Sequence, residues 1–151
     1  MPYDALRKGR CSLSNHAYSI TTVTRDRALL FNDFTVARLL VREIRRIHVS
    51  GNATSLAWVV MPDHLHWLFQ LHQNWTLDVA MKTLKARSAH TINRYLGRQG
   101  SVWQRAYFDR AIRKDEDMRQ LARYIVANPL RAGLVRDIGK YPHWDCAWMT
   151  N

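Results

Sequence analysis

The sequence predicts an α+β fold, namely an antiparallel sheet of the ferredoxin-like, split βαβ type with helices on one face. Stretches typical of strands occur between stretches of helical periodicity, in the order β-α-β-β-α-β-α. Only Pro62 and Asp63 separate the second strand from the third, and a connection this short favours an antiparallel hairpin. The length of 151 residues fits a single domain over residues 1–151, with an irregular basic arm at 1–15 and a short tail at 136–151.

The first three elements follow from β-forming residues, a helix cap and an apolar run. Residues 17–24 alternate in pattern and are rich in residues that favour strands. Asn32 and Asp33 supply an N-cap for a helix whose apolar side chains recur at helical spacing: Val36, Leu39, Leu40, Ile44 and Ile47. The strand at 55–61 is almost continuously apolar, so we expect both of its faces to be buried.

The later elements begin with a strand at residues 64–72. Thr76 can cap a long helix whose inner face is expected to carry Leu77, Met81, Leu84, Ile92 and Tyr95. A strand is expected over residues 102–113, and the carboxylates that follow it, Asp115, Glu116 and Asp117, suit the start of a helix. That helix is expected to end at Asn128 and Pro129, because proline disfavours helical geometry in the residue before it.

The charge of the chain indicates what it binds. It has 23 Lys and Arg against 12 Asp and Glu, a net charge of +11, which favours a polyanionic partner. An anionic membrane surface is one such partner, but the longest apolar run, Leu56–Met61, is far too short to span a bilayer. We therefore expect nucleic acid as the partner, and no membrane.

The cysteines and the first residues indicate a compartment. Cys11 and Cys146 lie near opposite ends of the chain and in no metal-ligand spacing, which predicts reduced thiols in a cytoplasmic protein. The first residues are charged, and no apolar segment follows them, so no signal peptide is expected.

Two histidines stand two residues apart in the segment Met61–Phe69. Side chains on a strand alternate between its faces, so His64 and His66 would share one face while Leu65 and Trp67 point into a core. With a rise of about 3.3 Å per residue, the two imidazoles would be roughly 7 Å apart and able to converge on one ion. The pattern favours a metal site, although such a pair also occurs as ordinary hydrogen-bonded surface.

Tyr124 and Asn128 form a second pair that can carry chemistry. On one α-helix they would lie about 40° apart and one turn from each other, at the seam between helix and sheet. Tyrosine becomes a useful nucleophile when it is oriented and when a cation neutralises its target. Taken singly, Tyr124 also fits an aromatic residue at the edge of the core, and Asn128 a helix stop before Pro129. Together with the two histidines, they form a coherent set for phosphoryl transfer through a phosphotyrosine.

Five segments match a known family pattern in order. They are Arg7–Arg10, Tyr18–Thr24, Val60–Trp67, Val102–Arg113 and Tyr124–Val135. On these segments the chain resembles the single-tyrosine HUH transposases, and most closely the REP-associated tyrosine transposases. The resemblance covers nearly the whole chain and implies the HUH endonuclease type of fold.

The resemblance also assigns roles to residues. It implies that His64 and His66 bind a divalent metal, Mg²⁺ or Mn²⁺, that Asn128 is the third protein ligand, and that Tyr124 is the nucleophile. The third ligand position varies among Asn, Gln, Glu and His in related enzymes. Water and DNA oxygens would complete the coordination of the cation.

The implied activity is the metal-dependent cleavage and rejoining of hairpin-bearing single-stranded DNA, such as REP-like palindromes, in the bacterial cytoplasm at the nucleoid. Attack by Tyr124 would leave a 5′-phosphotyrosine and a free 3′-hydroxyl. With one such tyrosine per chain, either a homodimer or a monomer that acts sequentially fits. The expected DNA-binding residues combine positive charge with an aromatic ring: Arg25, Lys82, Lys85, Trp103 and Arg105.

Two other classes of function share part of this pattern. A non-catalytic protein that recognises palindromic repeats would need the basic surface, but it would not need His64, His66, Asn128 and Tyr124 together. A small metal-binding module that contacts RNA would rest only on the charge and the histidines.

Overall fold

The computed structural model describes residues 16–72 and 74–149. The strands are β1 (Ala17–Val23), β2 (Ala53–Met61), β3 (His64–Leu71), β4 (Phe108–Ile112) and β5 (Trp144–Cys146), and the α-helices are α1 (Phe34–Ser50), α2 (Leu77–Leu96), α3 (Asp115–Val126) and the short α4 (Asn128–Arg131). Single turns of 3-10 helix occupy Arg25–Arg27, Leu30–Asn32 and Ile138–Lys140. No helix within these ranges is long and apolar enough to cross a membrane.

The strands form one antiparallel sheet in the order β4-β1-β3-β2-β5. The first six elements therefore have the order expected of the split βαβ motif, and the predicted fold class is confirmed. Met61 pairs with His64 across the two-residue turn, which confirms the hairpin. Within the tail predicted at 136–151, β5 adds to the edge of β2. The basic arm predicted at 1–15 lies outside the described residues.

Both faces of the sheet are covered, and in this the structure departs from the expectation of helices on one face. Helices α1 and α2 share one core with Trp58 and Val60 of β2. The opposite face of β2 carries Ala57, Val59 and Met61, which form a second core with Ala122, Ile125 and Val126 of α3. A strand that is apolar on both faces needs a cover on each side, because exposed apolar area is unfavourable. Helix α3 supplies the second cover.

The predicted caps begin both long helices. The side chain of Asp33 accepts hydrogen bonds from the amides of Thr35 and Val36 at the start of α1. Thr76 accepts one from Val79 at the start of α2. Tyr95, which was expected on the inner face of α2, is instead 52% exposed. These caps satisfy amides that the first helical turn leaves without partners.

The strand expected over residues 102–113 is much shorter, because its first half leaves the sheet. Trp103 makes only an isolated bridge with Thr24, and its indole is buried and donates a hydrogen bond to Ser88 of α2. The carbonyl oxygens of residues 104–106 accept hydrogen bonds from the Lys85 ammonium at 2.8–3.4 Å. A side chain thus satisfies carbonyls that a strand ladder would otherwise use.

Candidate active site

The two histidines lie side by side on β3. His64 and His66 share one face of the strand, while Leu65 and Trp67 are fully buried in the core on the other face. The centroids of the two imidazole rings are 4.8 Å apart, with the ring planes at 87°. Leu68, next on the histidine face, belongs to the core that α3 covers. The predicted alternation is confirmed, and it directs both histidines to the side of the sheet that carries α3.

Each imidazole has a hydrogen-bond partner at Nδ1. His64 Nδ1 lies 2.6 Å from Oδ1 of Asp63, and His66 Nδ1 lies 2.8 Å from Oγ1 of Thr21 on the neighbouring strand. A histidine that binds metal through Nε2 carries its proton on Nδ1 and donates it to such a partner, which fixes the orientation of the ring. Both rings therefore have a partner for Nδ1 and leave Nε2 for a ligand.

The electrostatics keep His66 neutral. Burial, followed by the charges of His64 and Arg131, lowers the pKa of His66 to about 4. Burial alone would raise the pKa of Asp63, but hydrogen bonds and charges from His64 and Arg27 lower it overall. The carboxylate is thus ionised at neutral pH, where it can hold the Nδ1 proton of His64, and the neutral His66 keeps a lone pair for a cation.

Tyr124 projects from α3 with 60% of its surface exposed. The guanidinium of Arg131 lies over its ring, with the guanidinium carbon 3.6 Å from the ring centroid. The same guanidinium donates a hydrogen bond of 2.6 Å to the backbone carbonyl of Tyr124. Helix α3 covers the face of the sheet that carries the histidines, and the charge of Arg131 contributes to the lowered pKa of His66. Arg131 links the candidate nucleophile to the candidate metal ligands.

Asn128 follows the end of α3 and begins the short helix α4, with Pro129 in its first turn. Its Nδ2 donates to the carbonyl of Ile125 at 3.0 Å, so this contact uses the nitrogen of the amide and not the oxygen. No group of three His, Cys, Asp or Glu side chains within residues 16–72 and 74–149 could hold a metal. A third protein ligand beside the two imidazoles would therefore have to be of another type, and an amide oxygen suits a hard divalent cation.

The five predicted DNA-binding residues border two neighbouring cavities. One cavity, of about 650 Å³, lies between α2 and residues 101–107 and is lined by Lys82, Lys85, Trp103 and Arg105 among others. The second, of about 620 Å³, shares Trp103 and Arg105 and adds Arg25. The segment 101–105 forms a wall of both. The structure thus brings residues from three distant parts of the sequence to one basic surface.

Two of these five side chains have structural roles. Trp103 is only 6% exposed, and its ring packs against Phe31 at a centroid distance of 5.6 Å. The expectation that it stacks on DNA is not supported, because the ring is in the core. The ammonium of Lys85 is bonded to backbone carbonyls, so it holds the wall in place. Lys82, Arg25 and Arg105 are exposed.

Sequence reasoning missed three residues of the site. Asp63 could have been found, because it directly precedes His64 and lies in the turn. Thr21 could not, because its contact with His66 depends on the register between β1 and β3. Arg131 lies within a segment that carries the family resemblance, but its position over Tyr124 depends on how the chain turns after α3.

Comparison with known proteins agrees with the fold and with the family pattern. "Putative REP-associated tyrosine transposase" of Haemophilus influenzae is 30% identical over 99 residues, which are 59% of this chain and 56% of that protein. The REP-associated tyrosine transposase of Escherichia coli K12 is 30% identical over 88 residues, which are 57% of this chain and 50% of that protein. The chain thus spans about half the length of these curated relatives.

A solved structure and a family model extend the comparison. The structure of a REP-associated tyrosine transposase bound to a REP hairpin superimposes with a TM-score of 0.73 and 23% identity, over 88% of this chain and 78% of that one. At this identity, the likeness establishes the fold. Residues 12–128, well over half of the chain, match the family model described as transposase IS200 like. The chain therefore belongs to the IS200-like transposase family.

Proposed function

We propose that the chain is a metal-dependent transposase that cleaves and rejoins hairpin-bearing single-stranded DNA through a 5′-phosphotyrosine on Tyr124. One observation carries the proposal. The rings of His64 and His66 lie 4.8 Å apart with a hydrogen-bond partner at each Nδ1, on the face of the sheet that the helix of Tyr124 covers. A protein that only binds DNA has no need of this combination.

The residues present fit a divalent cation such as Mg²⁺ or Mn²⁺. His64 and His66 would hold it through Nε2, and Asn128 through its amide oxygen, with water and DNA oxygens as the other ligands. When bound, such an ion polarises the scissile phosphate and offsets charge that develops there. The chain itself contributes ligands whose orientation is fixed by Asp63 and Thr21.

The nucleophile in this proposal is the phenol oxygen of Tyr124. It forms a bond to phosphorus as the bond to the 3′ oxygen breaks, while the phenol proton passes to solvent and the departing 3′ oxygen takes one up. The product is a 5′-phosphotyrosine and a 3′-hydroxyl, and the reverse reaction with another 3′ end rejoins DNA. One nucleophile breaks one strand at a time, so a monomer would act sequentially and a homodimer on two ends.

The basic surface supplies the path for the DNA. The cavity that Arg25 and Arg105 border also contains Arg27, whose guanidinium pairs with Asp63 at 3.1 Å. Asp63 in turn is hydrogen-bonded to His64, so polar contacts connect the basic surface to the candidate metal ligands. Arginine side chains along such a path can bind backbone phosphates. The hairpin in the solved relative suggests that a REP-like hairpin is the substrate.

The proposal can be tested with hairpin-bearing single-stranded oligonucleotides and Mn²⁺, with covalent protein–DNA adducts read on denaturing gels. We expect an adduct with the wild-type protein, and none with Tyr124→Phe although that variant still binds DNA. An exposed tyrosine of α2 provides a matched control, so Tyr95→Phe should form the adduct at the wild-type rate.

Three outcomes would contradict the proposal. An adduct that persists in Tyr124→Phe would refute the choice of nucleophile. Cleavage retained in the double variant His64→Ala/His66→Ala would refute the metal site. Tight binding of hairpins by the wild type, without an adduct over a range of palindromic sequences, would favour a non-catalytic DNA-binding protein.

A further inference from the structure

Phe108 is the most exposed aromatic side chain in residues 16–72 and 74–149, with 72% of its surface accessible. It is the first residue of β4, at the edge of the sheet. A single exposed apolar side chain is common on protein surfaces. Its position decides whether it has a function.

The register of the sheet places Phe108 in line with the candidate metal ligands. Phe108 is paired with Thr21 on β1, and Thr21 is paired with His66 on β3. Residues directly paired across strands project on the same face, and neighbouring strands are about 4.8 Å apart. The Cα atoms of Phe108 and His66 are thus about 10 Å apart across the histidine face.

A cavity lies directly beside the ring. It has a volume of about 260 Å³ and is lined by Thr21, Val23, Gln104, Ala106, Tyr107 and Phe108. Gln104 also borders both basic cavities. The cavity therefore lies between the basic surface and Thr21, whose hydroxyl is hydrogen-bonded to His66.

The surroundings indicate what would cover the ring. The chain carries a net charge of +11, and Arg25, Arg27 and Arg105 lie around the adjoining cavity. A partner that offers flat apolar faces and also carries negative charge is a nucleic acid strand with unpaired bases. Bases within a duplex are already stacked on each other, so an unpaired base of a single strand is the group that would cover the ring.

We infer that Phe108 is a stacking platform for one unpaired nucleobase next to the scissile phosphate, with Gln104 at the edge of that base. The inference deepens the proposed function and rests on it for the position of the scissile phosphate. The stacking of a base on the ring does not depend on cleavage, so a DNA-binding assay alone can test it. The inference also gives a role to an aromatic side chain that the distribution of charge along the sequence does not identify.

The test compares two fluorescein-labelled oligonucleotides of equal length, oligothymidylate and an abasic strand with the same phosphates, by anisotropy without divalent metal. Because stacking on an aromatic ring contributes about 1–3 kcal/mol per base, Phe108→Ala should weaken binding of oligothymidylate about 5- to 160-fold. Binding of the abasic strand should be unchanged. Phe108→Leu keeps the apolar surface of β4 without a ring and should show the same loss, whereas Phe108→Trp should retain affinity.

Tyr95→Ala, which removes another exposed aromatic ring, should bind both strands as the wild type does. Equal losses on both strands, or no loss in Phe108→Ala and Phe108→Leu, would overturn the inference. So would a wild-type dimer that Phe108→Ala converts to a monomer, because the ring would then be covered by a second copy. Since the assay needs no cleavage, a wild type that binds but forms no adduct would contradict the proposed function and leave the stacking result to stand.

Discussion

Thr21 is expected to control metal binding although it would not touch the metal. Its hydroxyl oxygen lies 2.8 Å from His66 Nδ1. In the tautomer that leaves Nε2 free for a metal, Nδ1–H donates to this oxygen, and Thr21→Val removes that acceptor while keeping the shape of the side chain. A half-buried N–H would then have no partner, which costs about 1–3 kcal/mol. The ring could also rotate or move its proton to Nε2, the atom that would bind the cation in the proposed site.

The expected magnitude follows from the behaviour of such supporting contacts. Loss of a hydrogen bond to a metal-binding histidine lowers metal affinity about 10- to 100-fold, which is about 1.4–2.7 kcal/mol. Isothermal titration calorimetry with Mn²⁺ should therefore give a dissociation constant for Thr21→Val that is higher by this factor. Thermal unfolding without metal provides a check that the variant is folded.

The adjacent threonine offers a matched control. Thr22 is fully buried on the other face of β1, and its hydroxyl has no hydrogen-bond partner in the described part of the chain. Thr22→Val should bind Mn²⁺ as the wild type does and be at least as stable, because it removes a buried polar group without a partner. Wild-type affinity in Thr21→Val, or an equal loss in Thr22→Val, would refute the role of the Thr21–His66 contact.

Three further predictions concern other parts of the structure. Arg131→Gln should slow adduct formation at least tenfold with little change in DNA affinity, because the guanidinium holds the ring and backbone of Tyr124. Single-turnover experiments measure the rate of adduct formation, and fluorescence anisotropy measures the DNA affinity. His143→Phe should reduce the loss of stability between pH 7.5 and pH 5, measured by urea unfolding, by about 2 kcal/mol. Lys85→Met should accelerate amide hydrogen exchange in residues 104–107, because its ammonium is bonded to the carbonyls of residues 104–106.

The pH prediction follows from the burial of His143. The side chain is 6% exposed between the rings of Phe34 and Tyr141. Burial, followed by the charge of Arg38, lowers its pKa to about 4. The folded pKa thus lies below the unfolded value of 6.5, so the unfolded chain binds more protons. The contribution of His143 to the free energy of unfolding is complete above about pH 6.5 and is lost as the pH falls towards 4.

Each of these predictions has a result that would contradict it. Arg123→Gln removes a charge from α3, beside Tyr124 in the sequence, and an equal slowing in that variant would mean that general charge, not the contact of Arg131 with Tyr124, is responsible. An unchanged pH dependence in His143→Phe would mean that His143 is not held neutral in the fold. Wild-type exchange rates in Lys85→Met would show that the segment beside α2 does not depend on this ammonium.

The sequence predicted the features that depend on local periodicity. The alternation around Leu65 and Trp67 placed His64 and His66 on one face, and the two-residue turn before them identified the hairpin. Cap residues such as Asp33 marked where a helix begins. These features were predictable because strand alternation and capping involve residues that are close in the chain.

The remaining features depend on contacts between distant residues. Local periodicity does not show that Thr21 pairs with His66, because the register of two strands is set by the whole sheet. The departure of residues 102–107 from the sheet depends on Lys85, nearly twenty residues earlier. Helix α3 was predicted, but its position depended on the apolar second face of β2. The aromatic ring of Trp103 suits stacking on DNA, but its surroundings in the fold are those of a core residue.

The central claim is that the phenol of Tyr124 becomes covalently joined to a 5′ phosphate. Trypsin cleaves after Arg123 and Arg131, so digestion releases the peptide of residues 124–131, which contains Tyr124 as its single tyrosine. After reaction with a hairpin-bearing single-stranded oligonucleotide and Mn²⁺, followed by nuclease and trypsin, mass spectrometry should find this peptide with an added nucleotide phosphate. An adduct on any other peptide, or complete cleavage of the DNA while residues 124–131 remain unmodified throughout the reaction, would contradict the account.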